Sequence, residues 1–552
     1  MLQEWIITLH NREDLESFYD DMETEGGDLF IPNRAVGLTH RREISRNTHY
    51  MLEHAEAMLI QQDDRVRAVE LVEMIELTTR PTGWKVTEKF SKDWFTDVDD
   101  VNWGLLRHSE ETNRSNWGSN GSSPNITDTL TVTASGKNVD VVIVDGHINP
   151  AHPEFAVNMD GSGGSRVNQF NWFSLTNALG FGSNGTYTYD RSGSYTDSTD
   201  EADNNHGCHC AGTVAGSSQG WARDANIYNI SPYGTNPNSL SSTRLWDYIR
   251  QWHNTKPINP ETGRRNPTIT NNSYGSVATP GEDGFGYVTE ITYRGATTNT
   301  YGAALNQSEL QARGCYAPNA DLSMAIPRWF ESRNADMEDA IADGIIIVCS
   351  AGNQSWKSAN AADQDYDNEY TLSFLGNPFT TWLHRGNGSG SGLAANINVG
   401  ALSNDENEDK ANFSNCGPQV DVFAAGEGIQ SSVHSGGTAD PRNSTYQLTK
   451  YQGTSMASPQ VAGVLAILAE SWPNMNQAQA QEWIINNSNK DLMADTGADD
   501  PMDRDSLQGA PNRMLRWINQ RTVAGNSFPQ KNFNARPESG TVYPRQRIRR
   551  RG

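Results

Sequence analysis

The 552-residue sequence predicts a three-layer α/β fold, in which helices cover both faces of a mostly parallel sheet, preceded by a small α+β domain. Three observations predict this arrangement. Nearly continuous apolar runs such as Val139–Val144 are typical of strands buried on both faces. From residue 139 onward these runs alternate with helical segments, as expected of a parallel sheet. The first 80 residues follow a different order of elements and therefore indicate a separate unit.

The small N-terminal domain is predicted over residues 1–80. Apolar residues at every third or fourth position predict its helices, and short runs rich in valine and isoleucine predict its strands. The predicted order is strand Glu4–Leu9, helix Arg12–Met22, a further strand, helix His49–Ile60 and strand Val66–Leu77. Residues 81–135 are punctuated by Pro, Gly, Ser and Asn and are predicted as a linker followed by the start of the next domain.

The main domain is predicted over residues 136–500, where the alternating strands and helices lie. The predicted strands are Val139–Val144, Ile227–Ile230, Thr268–Asn271, Ile345–Cys349, Ile397–Val399 and Val420–Ala424. The predicted helices are His206–Ala215, Ser241–Trp252, Asn334–Ala342, Ser455–Ser471 and Gln477–Asn487.

Two polar stretches, Ser276–Ala317 and Trp356–Leu393, interrupt this pattern and are rich in Gly, Thr and Asn. Long loops in a compact domain are usually functional or disordered, and the sequence leaves both interpretations open. Residues 501–552 are predicted as a C-terminal extension with a flexible tail. Five arginines within Arg545–Arg551 suit an anionic partner, but a solvated tail is the favoured interpretation.

The composition disfavours two classes of binding partner, nucleic acids and anionic membranes. With 43 basic and 67 acidic residues the net charge is −24, which disfavours nucleic acid and anionic membranes as partners. The sequence contains no apolar run of about 18 residues, so we expect no membrane span. We find no signal-peptide pattern at Met1 and expect synthesis in the cytosol. Five cysteines are an odd number and do not indicate a disulfide framework.

The segment Gly453–Gly463, GTSMASPQVAG, suggests a nucleophile. Ser455 is predicted in the first turn of a helix, where backbone N–H groups have no partner within the helix. The helix dipole adds partial positive charge at the same place. A serine there could attack a carbonyl carbon while its own N–H stabilises the resulting oxyanion.

Three other segments supply the groups that such a nucleophile needs. His206, in DNNHGCHCAGTVA, begins a helix of small residues and is the candidate base. Asp145 follows a buried strand in VDVVIVDGHINPAHPEF and could orient the imidazole and stabilise its cation. Asn353 ends GIIIVCSAGN and could donate to the oxyanion without adding charge. Each residue alone has an ordinary structural interpretation, as a cap or a turn residue.

Together these four segments resemble the subtilisin-like serine proteases, the subtilases, which share the chain order Asp, His, Ser. The resemblance spans about residues 100–500. It implies a serine endopeptidase that acts through an acyl-enzyme, needs no cofactor for its chemistry and takes proteins or peptides as substrates. It also implies that Ser273, Tyr274 and Gly275 form an edge segment that pairs with the substrate backbone. Gln354 would line the pocket for the residue before the scissile bond.

The N-terminal domain resembles the subtilase propeptide, which is an intramolecular inhibitor and folding chaperone. This resemblance implies a zymogen that cleaves itself between residues 80 and 102, so that the mature region begins within residues 81–135. The string NWGL, which starts at Asn102, is similar to the beginning of the mature catalytic domain.

Two metal sites have to be considered. Many subtilases bind structural calcium, and Glu154 in AHPEF matches a ligand position in some of them. A second cluster, His206, Cys208, His209 and Cys210, has the right residue types for a transition metal. Consecutive helical residues point in different directions, so we do not expect these four to face one ion. Cys210 resembles the cysteine near the catalytic histidine in the proteinase K branch, and His209 is expected to be structural.

Two other functions use the same residues. A catalytically silent structural or binding protein could keep the subtilisin fold, although it would not need all four candidate residues. An esterase or peptide ligase could use the same nucleophile, but no GxSxG pattern surrounds Ser455.

Overall fold

The structure is a computed structural model. It describes residues 3–31, 38–40, 47–71, 86–89, 102–109, 129–132, 134–175, 178–179, 201–230, 244–278, 285–299, 307–313, 326–374, 377–405, 407–499 and 503–517. The chain divides into two compact units, Met1–Gly83 and Trp84–Gly552. The end of the strand predicted at Val66–Leu77 and the arginine-rich segment Arg545–Arg551 lie outside the described residues.

The first unit is an α+β domain, as predicted. Its elements are β1 Gln3–Leu9, α1 Leu15–Glu23, β2 Leu38–His40, β3 Asn47–Leu52, α2 His54–Ile60 and β4 Val66–Leu71. The described strands form one antiparallel sheet in the order β2-β3-β1-β4, and the apolar core includes Trp5, Phe18 and Tyr50.

The helix predicted over His49–Ile60 is wrong in its first part. Residues 49–52 belong to β3 and pair with β1. The helix begins only at His54, because Glu53 and Glu56 form a capping box at its N-terminus.

The second unit contains the predicted α/β architecture. The strands and helices of this unit, in chain order, are β5 Val86–Lys89, α3 Trp103–Arg107, β6 Thr129–Val132, β7 Asp140–Val144, β8 Val167–Asn168, α4 Glu201–Ala215, β9 Asn226–Ile230, α5 Arg244–Thr255, β10 Thr268–Asn272, β11 Val277–Ala278, β12 Phe285–Tyr293, β13 Ala296–Asn299, α6 Gln307–Gln311, β14 Ile326–Pro327, α7 Glu331–Ala342, β15 Ile346–Ser350, β16 Glu369–Phe374, β17 Asn377–Trp382, β18 Ile397–Leu402, β19 Val422–Ala425, β20 Ile429–Val433, β21 Thr438–Asp440, β22 Asn443–Tyr451, α8 Thr454–Ser471, α9 Gln477–Asn487, β23 Asn489–Lys490 and β24 Arg513–Met514. Of the described strands, nine form one sheet in the order β23-β24-β19-β18-β15-β10-β7-β9-β8. Neighbouring strands run parallel except β23 and β24 at one edge.

Alternating residues of the central strands face two separate apolar cores. In β7, Val141 and Ile143 pack in the core that α4 and α8 share, whereas Val142 and Val144 pack in the core of α5. All five β7 residues are buried. The prediction of a three-layer α/β fold is therefore confirmed, and the apolar run that suggested it is buried on both faces.

The two polar stretches pair with each other. Strands β12 and β13 come from the first stretch, β16 and β17 come from the second, and they form an antiparallel sheet in the order β13-β12-β16-β17. This insert sheet has its own small core, which includes Val288, Ile291 and Leu372. Much of both stretches is therefore ordered, and the order comes from pairing between them.

The region predicted as a linker also contains structure. Strand β5 pairs with β6, and α3 lies in the core with Leu105 and Leu106 buried. Among the helices of the described residues, none combines the length and apolar character needed to cross a bilayer.

Three neighbouring parallel strands bring the candidate site together. β7, β10 and β15 are adjacent in the sheet and share one direction, so their carboxyl ends lie along one edge. Asp145 follows β7, Ser273 follows β10, and the loop with Asn353 follows β15. Helix α8 packs against β10 and β15 and begins close to this edge.

Candidate active site

The first pair of the site is Asp145 and His206. The imidazole Nδ1 lies 2.8 Å from Asp145 Oδ1, and the carboxylate is buried with 2% of its side chain exposed. The same oxygen accepts a hydrogen bond of 2.7 Å from the N–H of Gly146. Because a carboxylate can only accept, Nδ1 carries the proton and Nε2 is left as the basic atom.

The protonation of His206 is set by two opposing effects. Burial is the largest single effect and lowers the pKa of His206. The negative charge of Asp145 is the largest of the effects that raise it, and these effects together outweigh burial, so that the net pKa lies well above its usual range. Burial also raises the pKa of the Cys210 thiol, which is therefore neutral near pH 7 and adds no charge beside the imidazole. Asp145 is thus the charge that stabilises the imidazolium.

Glycine allows this pair to form. A Cβ on Gly207 would lie 2.2 Å from the carbonyl oxygen of Gly146, much closer than any real contact. Helix α4 therefore approaches the loop after β7 so closely that only glycine fits at position 207. The sequence predicted close packing of this helix from its small residues, and glycine at 207 allows that close packing.

Ser455 lies in the first turn of α8, as predicted, and is 8% exposed. Its hydroxyl donates to the carbonyl oxygen of Ser273 at 3.2 Å, so this hydroxyl is not donating to the imidazole. Its carbonyl oxygen accepts from Ser273 Oγ (3.0 Å) and Cys210 Sγ (3.3 Å). Cys210 Sγ is also 3.9 Å from His206 Nδ1, so α4 and α8 meet at the site. A change of χ1 rotamer is the motion that would redirect the Ser455 hydroxyl.

Asn353 and the N–H of Ser455 lie near a common point. Asn353 Oδ1 accepts from the N–H and the hydroxyl of Thr454, both at 2.8 Å, which leaves Nδ2 as the donor. A Cβ on Gly453 would lie 3.4 Å from Asn353 Nδ2 and 3.5 Å from the backbone nitrogen of Ser455. Gly453 has φ +151°, a conformation that side chains rarely adopt. Two donors therefore converge beside the candidate nucleophile, as an oxyanion hole requires.

The predicted substrate-binding residues surround this point. Ser273 is buried and bonded to Ser455, and Tyr274 is half-buried beside the α5 core. Gly275 forms an antiparallel bridge with Gly388. Gln354 follows Asn353, and its Oε1 accepts a hydrogen bond of 2.9 Å from the N–H of Asn353. The structure thus brings all four to the candidate site, while their contacts with a substrate stay a prediction.

Other residues beside His206 were missed in the sequence. A cleft of about 410 Å³ is lined by His206, Gly428, Lys450, Tyr451, Gln452 and Met456. Four of these immediately flank the Gly453–Ser455 segment along the chain. The sequence feature that could have identified them is the strand β22, which ends next to that segment, but its polar sequence does not predict a strand.

The neighbouring histidine is structural, as expected. His209 is fully buried, its Nε2 lies 2.8 Å from Ile429 O, and its ring stacks on Tyr451. Burial lowers the pKa of His209 to about 3, so it stays neutral. Cys208 Sγ contacts Ser432 Oγ at 3.8 Å. The four-residue metal cluster is therefore not assembled, although ligand atoms of Asp145, His206 and Cys210 lie within 4.8 Å of one another.

The calcium site predicted at Glu154 stays a prediction, and in the structure this carboxylate has a partner within the protein. Its buried carboxylate contacts the guanidinium of Arg442, which also binds Asp440 at 2.7 Å. Glu154 Oε2 accepts the N–H groups of Ser218 and Gln219, both at 3.0 Å. The arginine supplies the positive charge that a metal ion would supply, and backbone donors take much of the remaining capacity of the carboxylate.

Comparison with known proteins shows the family to which the chain belongs. The model of the subtilase family matches residues 136–514, and the chain belongs to this family. It is 29% identical over 162 residues to Subtilisin amylosacchariticus of Bacillus subtilis subsp. amylosacchariticus, a match that covers 29% of this chain and 33% of that protein. It is 24% identical over 315 residues to Subtilisin-like protease 8 of Arthroderma benhamiae, covering 55% of this chain and 47% of that protein.

The chain spans about a third of the length of the curated subtilisins that it matches. Among solved structures it is similar to a cold adapted subtilisin-like serine proteinase, with 18% identity and a TM-score of 0.42. That similarity covers 76% of this chain and 98% of the other.

Replacing Gly207 with alanine tests the close approach of α4. The added Cβ displaces the helix from Gly146, and a misplacement of about 1 Å can cost a hundredfold in turnover. We expect kcat on a peptide substrate to fall by about that factor, while thermal unfolding shows a folded protein. A folded Gly207→Ala variant with unchanged kcat would contradict this role.

Replacing Arg442 with methionine tests whether the arginine takes the place of a metal. Removing one partner of a buried ion pair costs about 3–5 kcal/mol, because Glu154 and Asp440 are left buried with no positive charge between them. We expect a lower unfolding midpoint in urea, and a larger stabilisation by added calcium in the variant than in wild type. The matched control is Arg442→Met combined with Glu154→Gln, which should recover part of the stability. If Glu154→Gln alone abolished calcium stabilisation of the wild type, the assignment would be overturned.

Proposed function

We propose that this chain is a serine endopeptidase that hydrolyses peptide bonds through an acyl-enzyme on Ser455. One observation carries the proposal: a buried carboxylate bonded to a histidine, a serine at a helix N-terminus and a side-chain amide whose Nδ2 is left as a donor lie at one edge of the sheet. Each of these groups matches a requirement of acyl transfer at neutral pH.

The chemistry follows from the atoms available. The Ser455 hydroxyl turns from Ser273 O towards His206 Nε2, loses its proton to that nitrogen, and Oγ attacks the scissile carbonyl carbon. The N–H of Ser455 and Nδ2 of Asn353 donate to the oxyanion. His206 then passes the proton to the leaving amine, and a water molecule repeats the sequence to release the acyl group. The buried carboxylate of Asp145 stabilises the imidazolium.

The proposed substrate is an extended peptide. Its backbone would lie along Ser273–Gly275, a segment in which Gly275 already pairs with Gly388. Gln354 is a neutral amide at the predicted pocket, so we infer no strong preference for a basic residue before the scissile bond. Chemistry of this kind uses groups of the protein and a water molecule and needs no cofactor.

We also propose that the enzyme is made as a zymogen, with the first unit as an inhibitor that is cleaved off. The resemblance of the first unit to a subtilase propeptide supports this proposal, and α3, which is buried in the second unit, limits where the cleavage can fall. Asn102 bonds to Gln219 through its N–H (2.8 Å) and its Nδ2 (2.9 Å), and Arg107 is fully buried against Glu408. Because removal of this helix would leave buried polar groups unpaired, cleavage should occur before Asn102.

Self-processing tests the proposed function. Wild type and Ser455→Ala are expressed in parallel, and their N-terminal sequences are determined. We expect the wild type to lose a segment that ends before Asn102, because attack requires the Ser455 hydroxyl, and the variant to remain full length. Identical processing of both proteins would favour the catalytically silent scaffold. A fluorophosphonate probe should label only the wild type.

The pH profile tests the histidine as base. His206 must be unprotonated to accept the serine proton, and its pKa is raised above about 6.5, so kcat/KM should fall as pH decreases through that raised value. Asp145→Asn removes the charge that raises it. The acid limb should then move to lower pH, while kcat drops by roughly 10⁴-fold, as in the triad proteases of known mechanism. An acid limb that stays in place after Asp145→Asn would contradict the assignment.

A further inference from the structure

The loop that carries Asn353 is filled by the side chain of Asn415. Its Nδ2 donates to the carbonyl oxygen of Ala351 at 2.8 Å, and its Oδ1 accepts from the N–H groups of Gln354 (3.1 Å) and Trp356 (3.0 Å). Asn415 is fully buried. Because its Oδ1 accepts from two backbone donors, the orientation of this amide is fixed, and Nδ2 must be the donor.

From this fixed amide, hydrogen bonds lead back to Asn353. Asn415 Nδ2 also donates to Asn387 Oδ1 at 2.7 Å, and Asn387 Nδ2 donates to Gln354 Oε1 at 3.0 Å. Gln354 Oε1 also accepts from the N–H of Asn353 at 2.9 Å. We name Asn415, Asn387 and Gln354 the amide relay. Flipping any one of its amides would face donor with donor or acceptor with acceptor.

The relay packs directly against the loop backbone. A Cβ on Gly352 would lie 2.3 Å from Asn415 Nδ2 and 2.4 Å from Asn387 Oδ1, and Gly352 has φ +110°. The loop that aims Asn353 is therefore shaped around these two side chains, and a change in either amide has no space in which to be absorbed.

Asn387 connects the relay to the other side of the site. It lies in the second polar stretch, five residues after β17, and is 2% exposed. Its carbonyl oxygen accepts from the N–H of Ser276 at 2.9 Å, and the next residue, Gly388, pairs with Gly275. Asn387 thus contacts both the predicted substrate segment and the loop of the oxyanion donor.

We propose that Asn387 is a positioning residue for Asn353: it orients Gln354, which holds the backbone N–H of Asn353 and so aims its Nδ2 at the oxyanion. This proposal rests on the proposed peptidase function. Asn387 touches no reacting atom, and its effect is exerted through Asn353. Losing the relay donor lets Gln354 turn and loosens the loop, so the oxyanion loses stabilisation in the transition state while ground-state binding of the substrate is retained.

A double-mutant cycle tests the proposal. Asn387→Asp keeps the size of the side chain but removes the donor to Gln354, and Asn387→Leu removes donor and acceptor without adding charge. We expect each to lower kcat on a peptide substrate by about tenfold to a hundredfold with little change in KM. Each substitution is repeated in an Asn353→Ala background, where we expect almost no further loss, because the donor that the relay aims is absent.

The control and the contrary results are distinct. Asn360→Asp lies in the same polar stretch and adds the same charge, but it keeps its acceptor role towards the N–H of Ala362, so kcat should be unchanged. Wild-type kcat in folded Asn387→Asp and Asn387→Leu overturns the proposal. The proposal is also overturned if the Asn387 substitutions lower kcat by the same factor in the Asn353→Ala background as in the wild type. Such a result would mean that Asn387 does not act by positioning Asn353. An inactive wild type would instead refute the peptidase function, which separates the two failures.

Discussion

The site depends on the parallel alignment of β7, β10 and β15. Three strands that run in one direction end at one edge, and this alone brings together Asp145, Ser273 and the loop of Asn353, which are far apart in the chain. The strands are buried on both faces, so a shift of register would move apolar side chains out of both cores. Packing of the strands in the two hydrophobic cores thereby fixes where the polar groups of the site lie, although these groups are not held in place by apolar contacts of their own.

The two helices of the site are held to this edge by different means. Helix α4 reaches Asp145 because glycine at 207 leaves room for the backbone, and the β20–β22 sheet holds it through Ser431 and Ser432, which donate to carbonyl oxygens of His209 and Cys208. Helix α8 is almost completely buried over Thr454–Ala469. A buried helix has little freedom to move, which suits a group that has to present an N–H to a developing charge.

The local patterns in the sequence were sufficient to predict the central sheet and to select the candidate catalytic residues. β7 and α8 are apolar elements bounded by glycine or polar residues, and α9 has an Asn476 capping box, so each is specified by its own residues. The insert sheet was not predictable, because β12 pairs with β16 across a long stretch of chain and the pairing includes register shifts. His49–Leu52 has an apolar pattern that fits a helix or a strand, and pairing with β1 decides it.

The sequence also did not allow the partners of charged residues to be predicted. Glu154 and Arg442 are 288 residues apart, and nothing in the short motif AHPEF indicates that an arginine contacts this carboxylate. The amide relay was hidden for the same reason, since asparagines in polar loops are ordinary until their neighbours are known. Such interactions are defined by tertiary contacts, and the sequence gives only the residue types that are able to make them.

The most direct measurement is a crystal structure of the wild type after reaction with a peptidyl phosphonate that forms a tetrahedral adduct on the nucleophile. We expect a covalent bond to Ser455 Oγ, one phosphonyl oxygen at about 2.7–3.1 Å from both Asn353 Nδ2 and the N–H of Ser455, and His206 still bonded to Asp145. An adduct on another residue, or an oxygen that points away from Asn353 and the start of α8, would contradict the convergence of these groups at one catalytic point.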